Sequence, residues 1–257
     1  MSTTASPHVL VDVADRVMTI RIDRVAKKNA LDAAMYRGLA DALAAAAADR
    51  AVRVVVITGG AEVFCAGNDL ADFARARAGS GDMAAADFLK NISEHPLPIV
   101  AAVAGWAVGI GVTLLLHCDF VYAAPSARFR APFVDLGLCP EAGSTVLLPR
   151  IIGPRRAAEM LLLGTEIDAA TARDWQLVTG VVDDPLARAA EVAAALARRA
   201  PQSMRTTKAL LQRVTAGEVA TAMEAELRAF GERLRSDEAV EAATALMTKR
   251  APDFSRW

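Results

Sequence analysis

The residues best placed by spacing to do chemistry lie in Ala101–Asp119, AAVAGWAVGIGVTLLLHCD. The apolar run Ile99–Val103 just before it has the length of a buried strand, and glycines follow at 105, 109 and 111. Val112–Leu116 is apolar on every side, as a helix inside a protein is. A glycine-rich turn between such a strand and such a helix leaves N–H groups open at a positive helix end, where negative charge is held. The same small residues also serve close helix packing, and the stretch alone does not separate the two readings. A second turn of this kind is Phe64–Leu70, FCAGNDL, after the strand Val52–Thr58, with Asp69 placed to cap a following helix. Both turns follow parallel-type strands, the place where open α/β sheets bind ligands.

Other reactive side chains read more plainly. His8, His95 and His117 are isolated and make no metal cluster, and His117 beside Asp119 reads as a satisfied core histidine. Cys65, Cys118 and Cys139 show no CxxC spacing, which predicts reduced thiols in a cytoplasmic setting. Ser144 has no nearby histidine to activate it, and Asp135 and Asp119 read as structural. The glycines of GWAVGIG lack the spacing and the ribose-binding acid of a dinucleotide site.

The elements that must position these residues follow from periodicity. Val9–Val13 and Arg16–Ile22 read as a strand pair, Asp32–Ala48 as a helix and Val52–Thr58 as a strand. Residues 74–82 read as a mobile polar segment and Ala84–Ser93 as a helix. The helix after Ile99–Val103 is expected to run to about His117. Strands follow at Phe120–Ala123, Ala127–Arg130 and Val178–Val182, with helices near 144–151, 154–163 and 168–175. Beyond residue 184 only helices are predicted. The chain thus divides into an α/β core over 1–200 and a helical region over 201–257. With 257 residues, 54% hydrophobic, 23% charged and a net charge of −1, it suits a sizeable core. That balance gives no reason to expect nucleic acid or an anionic membrane as partner. No signal-peptide pattern opens the chain, and no run is long and apolar enough to span a bilayer.

Taken in order, FCAGNDL, AAVAGWAVGIG, HCDFVYA, FRAPFVDLGLCPEAGST and EAATALMTKRAPDFSRW resemble the crotonase superfamily, the enoyl-CoA hydratase/isomerase family, over nearly the whole chain. The resemblance implies a spiral of ββα units with a helical C-terminal trimerisation region, in a homotrimer or a dimer of trimers. It also implies an acyl-CoA thioester substrate, with coenzyme A as part of that substrate and no further cofactor. Two backbone N–H groups, matched here by Ala66 and Ile110, would form an oxyanion hole for the thioester carbonyl. Losing one such donor typically costs about 3–4 kcal/mol. The two glutamates of the family's hydratases fall on Thr113 and Phe133, and neither residue can act as a base. The remaining carboxylate, Glu141, occupies the place of the single acid/base of 3-enoyl-CoA to 2-enoyl-CoA isomerases. Its other reading is as a complement to the helix start at Ser144–Thr145. An apolar pocket of Leu70, Trp106, Phe133 and Leu138 is expected to raise its pKa. Lys28, Ala30, Gly67, Asp69 and Gly109 are matched to substrate binding, and Lys249 to the CoA phosphates. Isomerisation in fatty acid metabolism is the leading expectation. Hydration, other enolate chemistry and a silent CoA-binding protein are the alternatives.

Overall fold

The computed structural model describes residues 6–69, 71–72 and 84–257. Leu70 and the segment 74–82 therefore lie outside the described residues. Strands β1 (Val9–Ala14) and β2 (Val17–Ile22) form an antiparallel hairpin. Its two-residue turn, Asp15–Arg16, takes left-handed backbone at both positions (φ 49° and 68°), the twist that suits such a hairpin.

From β2 onward the larger sheet is parallel. It adds β3 (Val54–Thr58), then β5 (Ile99–Val103), β7 (Phe120–Ala123) and β10 (Gly180–Val181), in the order β1-β2-β3-β5-β7-β10. Every residue of β3 and β5 is buried, as expected where helices cover both faces of a parallel sheet. On one side α1 (Ala33–Ala48) and α2 (Ala84–Ser93) pack over Ile20, Val55 and Ile57. Asp32 starts α1 by accepting from Met35 N–H at 2.9 Å. On the other side the helix Pro185–Ala197 lays Ala189, Ala193 and Ala197 against Val54, Val56 and Val100. Alanines four apart give this helix a flat face, and the sheet approaches it closely.

A smaller sheet grows in step with the larger. It takes β4 (Val63–Cys65), β6 (Trp106–Val108), β8 (Arg128–Arg130) and β9 (Ile167–Asp168) in that order. Three times the chain runs through a strand of the large sheet and then one of the small sheet: β3 to β4, β5 to β6, β7 to β8. This is the expected spiral of ββα units. The crossings are tight. Gly105 has φ +62°, and a Cβ there would collide with the carbonyl oxygen of Glu62. Only glycine fits.

Two expectations are corrected. Each glycine turn, expected as loop, carries a three-residue strand: β6 in the first and β4 at the start of the second. The helix expected to reach His117 is α-helical only over Ile110–Thr113 (α3) and tightens into a 3₁₀ turn over Leu114–His117. The region after residue 184 is helical, as expected. Helices follow at Pro201–Arg213, Ala216–Leu234 and Asp237–Met247. Lys208, 4% exposed, ties the first of these to the core through Leu97 O and Asp119 Oδ2, each at 2.7 Å. Asp119 also accepts from Ile99 N–H at 2.7 Å, so its role is structural. Among the described residues no helix is long and apolar enough to cross a membrane.

Candidate active site

The two glycine turns come together because β4 pairs with β6, Cys65 opposite Ala107. A Cβ on Gly111 would meet Cys65 O at 2.6 Å, and one on Gly67 would meet Val108 O at 3.3 Å. Gly109, at φ 55° and ψ −118°, turns the chain into α3. Val112 and Thr113 N–H close back on Gly109 O, while Gly109 N–H donates to Arg130 O. Ile110 stands at the first position of α3, where a helix offers its N–H no acceptor. Among the described residues it has no backbone partner. The Ala66 N–H lies on the adjoining turn and donates to Lys28 O at 3.1 Å. Of the two predicted donors, Ile110 is open and Ala66 is shared with a carbonyl.

Lys28 and Asn29 both take left-handed backbone (φ 52° and 57°). Asn29 is 1% exposed. It accepts from Arg24 N–H at 2.7 Å and donates to Val63 O and Phe64 O, pinning β4 in place. Arg24, which the sequence did not single out, donates to Ala30 O at 3.0 Å and to Asp69 at 2.7 Å. Burial pushes the Asp69 carboxyl up, but Ala71 N–H and the Arg24 guanidinium outweigh it and hold it below the usual range. Asp69 therefore caps the turn after it through Ala71 N–H, as predicted.

Glu141 closes the loop that begins at Pro132. Ala142 and Gly143 after it both take left-handed backbone, at φ 63° and 68°. For alanine this costs about 1–2 kcal/mol. The neighbours hold it there. His117 Nε2 lies 2.8 Å from Ala142 O, and since a carbonyl only accepts, that nitrogen carries the proton. Burial lowers the His117 pKa to about 4, so the ring is neutral. It is the satisfied histidine the sequence implied.

The Glu141 carboxylate accepts a short hydrogen bond from the hydroxyl of Thr113. Burial raises its pKa; the Thr113 bond opposes this and the charge of Glu226 adds to it, giving about 7. The same enclosure pushes up the Tyr36 phenol and the Cys65 thiol, the latter to about 12, first by burial and then by the nearby Glu141 charge. Tyr36 donates to Asn68 Oδ1. Tyr36, Asn68 and Glu141 face a cavity of about 1200 Å³, whose far wall includes Met223, Leu227 and Phe230 of the helix Ala216–Leu234.

The expected pocket of Trp106, Phe133 and Leu138 does not form this wall. Phe133 and Leu138 are 4% and 6% exposed within the main core. Their loop folds back on itself, with Leu138 N–H on Phe133 O, and turns both side chains inward. Trp106 begins β6, paired with Val63 and Arg128 and away from the cavity. Lys249 is exposed beyond the last helix and makes no ion pair among the described residues.

Sequence reasoning missed Tyr36, Asn68, Thr113 as a partner of Glu141, and Glu226. Glu226 left a trace. It interrupts the stripe Val219, Met223, Phe230 at helical spacing, and a carboxylate on an apolar stripe needs a buried partner.

A family profile described as enoyl-CoA hydratase/isomerase matches residues 12–256. The chain is 33% identical over 255 residues to the 2,3-dehydroadipyl-CoA hydratase of Escherichia coli, covering 96% of this chain and 98% of that one. It is 35% identical over 254 residues to enoyl-CoA delta isomerase 2 of Rattus norvegicus, covering 95% of this chain and 64% of the longer rat protein. The crystal structure of an enoyl-CoA hydratase/isomerase from Pseudoalteromonas atlantica superposes with a TM-score of 0.92. Its identity is 42%, and the match covers 96% of this chain and 100% of that one.

Proposed function

The chain belongs to the enoyl-CoA hydratase/isomerase family of acyl-CoA enzymes, and we propose that its reaction is the shift of a 3-enoyl-CoA double bond to the 2 position. The observation that carries this reading is Glu141, a carboxylate on the cavity wall that is hydrogen-bonded to Thr113 and has its pKa raised by burial to about 7. Close to neutrality such a group is present in both protonation states, as a proton shuttle requires. Glu141 takes a proton from the α carbon. The electron pair moves onto the thioester oxygen and conjugates with the 3,4 double bond as a dienolate. Ile110 N–H faces the developing oxyanion, and Ala66 N–H joins it by sharing between the substrate oxygen and Lys28 O. The dienolate then takes the proton back from Glu141 at the γ carbon, leaving the double bond between the α and β carbons. No cofactor enters the balance.

Hydration calls for a second acid/base to activate water. The positions matched to it hold Thr113, whose hydroxyl is bonded to Glu141, and Phe133, which is buried. The acyl chain runs into the apolar end of the cavity, and the enzyme assembles as a homotrimer or a dimer of trimers. The test is a panel of 3-enoyl-CoA and 2-enoyl-CoA thioesters of graded length, run on the wild type and on Glu141→Gln. Isomerisation is expected in the wild type, with a loss of about 10²–10⁴-fold in the variant. Undiminished activity of the variant, or hydration of 2-enoyl thioesters without isomerisation, rejects the proposal.

A further inference from the structure

Glu226 lies on the helix Ala216–Leu234 and is 6% exposed. Among the described residues no lysine or arginine pairs with it. Its hydrogen bonds come from neutral groups on either side of one turn. Gly143 N–H donates to Oε2 at 2.6 Å, and Thr145 donates to Oε1 through its N–H at 3.0 Å and its hydroxyl at 2.6 Å. Both oxygens accept, as those of an ionised carboxylate do. Burying a charge without a cation is costly. A helix start is ordinarily capped by Ser, Asn or Asp at its own N-cap. The N-cap of the helix Ser144–Ile152 is instead Gly143, which supplies no side chain. The turn that Glu226 grips begins two residues after Glu141, whose own carbonyl accepts from Ser144 N–H at 3.1 Å.

We propose that Glu226 is a positioning residue for Glu141: it clamps the Gly143–Thr145 turn from the C-terminal helix, fixes the Glu141 carboxylate against Thr113, and sets a negative charge behind it. The inference rests on the reading of Glu141 as the acid/base. The groups that face Glu141 from each packed element are the Thr113 hydroxyl of α3, the Tyr36 phenol of α1 and the Cys65 thiol of β4. Cys139 lies on its own loop, and His117 is turned to Ala142 O. The thiols and the phenol are pushed up and His117 is pushed down, so all of these are neutral near pH 7. Glu226, both of whose oxygens accept hydrogen bonds, is the neighbour whose charge raises the proton affinity of Glu141.

The test compares full-length wild type, Glu226→Gln and Thr145→Val. One readout is the pH profile of kcat/KM, with kcat and KM separated. The other needs no turnover: infrared titration of the protonated Glu141 carboxyl band, assigned by its loss in Glu141→Gln. Glu226→Gln keeps an acceptor oxygen and loses the charge. It is expected to move the infrared midpoint and the acid limb of the profile together to lower pH, by at least about half a unit, and to lower kcat more than it raises KM. Thr145→Val removes a hydrogen bond and keeps the charge, so its midpoint stays with the wild type. An unmoved midpoint in Glu226→Gln overturns the inference, as does an activity loss fully explained by less folded protein. A midpoint that moves in Glu226→Gln while the wild type does not isomerise upholds the coupling and rejects the isomerase reading alone.

Discussion

At Glu141, burial and hydrogen bonding pull against each other, and the balance has a cost that can be measured. The carboxyl has its ordinary value of 4.5 in the unfolded chain and about 7 in the folded one. Between those limits the folded state holds a proton that the unfolded state has released. Stability therefore falls as pH rises from about 4.5 to about 7, and the loss is complete above that window. At about 1.4 kcal/mol per unit it amounts to about 3 kcal/mol. Glu141→Gln removes the ionisation. The variant is expected to gain stability over the wild type at about pH 8 and to show little gain at about pH 5, as read from urea unfolding at both. Equal differences at the two values would show that the carboxyl is not held up by the fold. The residue scale is also where the sequence was most legible. Glu141 and Ile110 stand out because the roles proposed for them need a carboxylate and a bare N–H at motif positions. Thr113 was set aside because a hydroxyl cannot serve as a base, and that remains true. Its hydroxyl instead donates to the Glu141 carboxylate, a partnership that no property of the residue alone announces.

At the scale of elements, the site exists because two glycine turns touch, and they touch because two three-residue strands pair. Such strands are too short for alternation to reveal them reliably, so the sequence suggested loops at β4 and β6, although it marked β8 as a strand. The glycines carry the same information sterically. Gly105→Ala drives a Cβ into the Glu62 carbonyl and is expected to cost more than about 3 kcal/mol or to prevent folding. Gly217, near the start of the helix Ala216–Leu234, has only open space within 4 Å of the point where an alanine methyl would stand. Gly217→Ala is expected to add a few tenths to about 1 kcal/mol through helix propensity. Thermal melts of the two variants check both. A tolerated alanine at 105 would mean that the sheets cross differently.

At the scale of the whole molecule, the periodicity of strands and helices predicted an α/β core followed by helices, and the chain folds so. What periodicity could not express is how the last helices return to the first site. Lys208 reaches back to Asp119 and Leu97, and Glu226 to Gly143 and Thr145, across 81 to 111 positions. Contacts at that separation leave no local pattern. The same helices leave Leu246, Met247 and Leu227 about half exposed or more, on a chain of 27.1 kDa. Sedimentation of the purified protein is expected to give three or six times that mass. A monomer at micromolar concentration would reject the proposed assembly.

The cavity wall has a consequence for the order in which the protein becomes itself during synthesis. Tyr36, Asn68 and Glu141 are all translated before residue 142, but the facing Met223, Leu227 and Phe230 emerge some eighty residues later. Domains of a nascent chain fold from the N-terminal side at about 5–20 residues per second. For several seconds on the ribosome Glu141 therefore exists without the helix that faces it across the cavity. The polypeptide completes that wall of the cavity only when the helix Ala216–Leu234 leaves the exit tunnel.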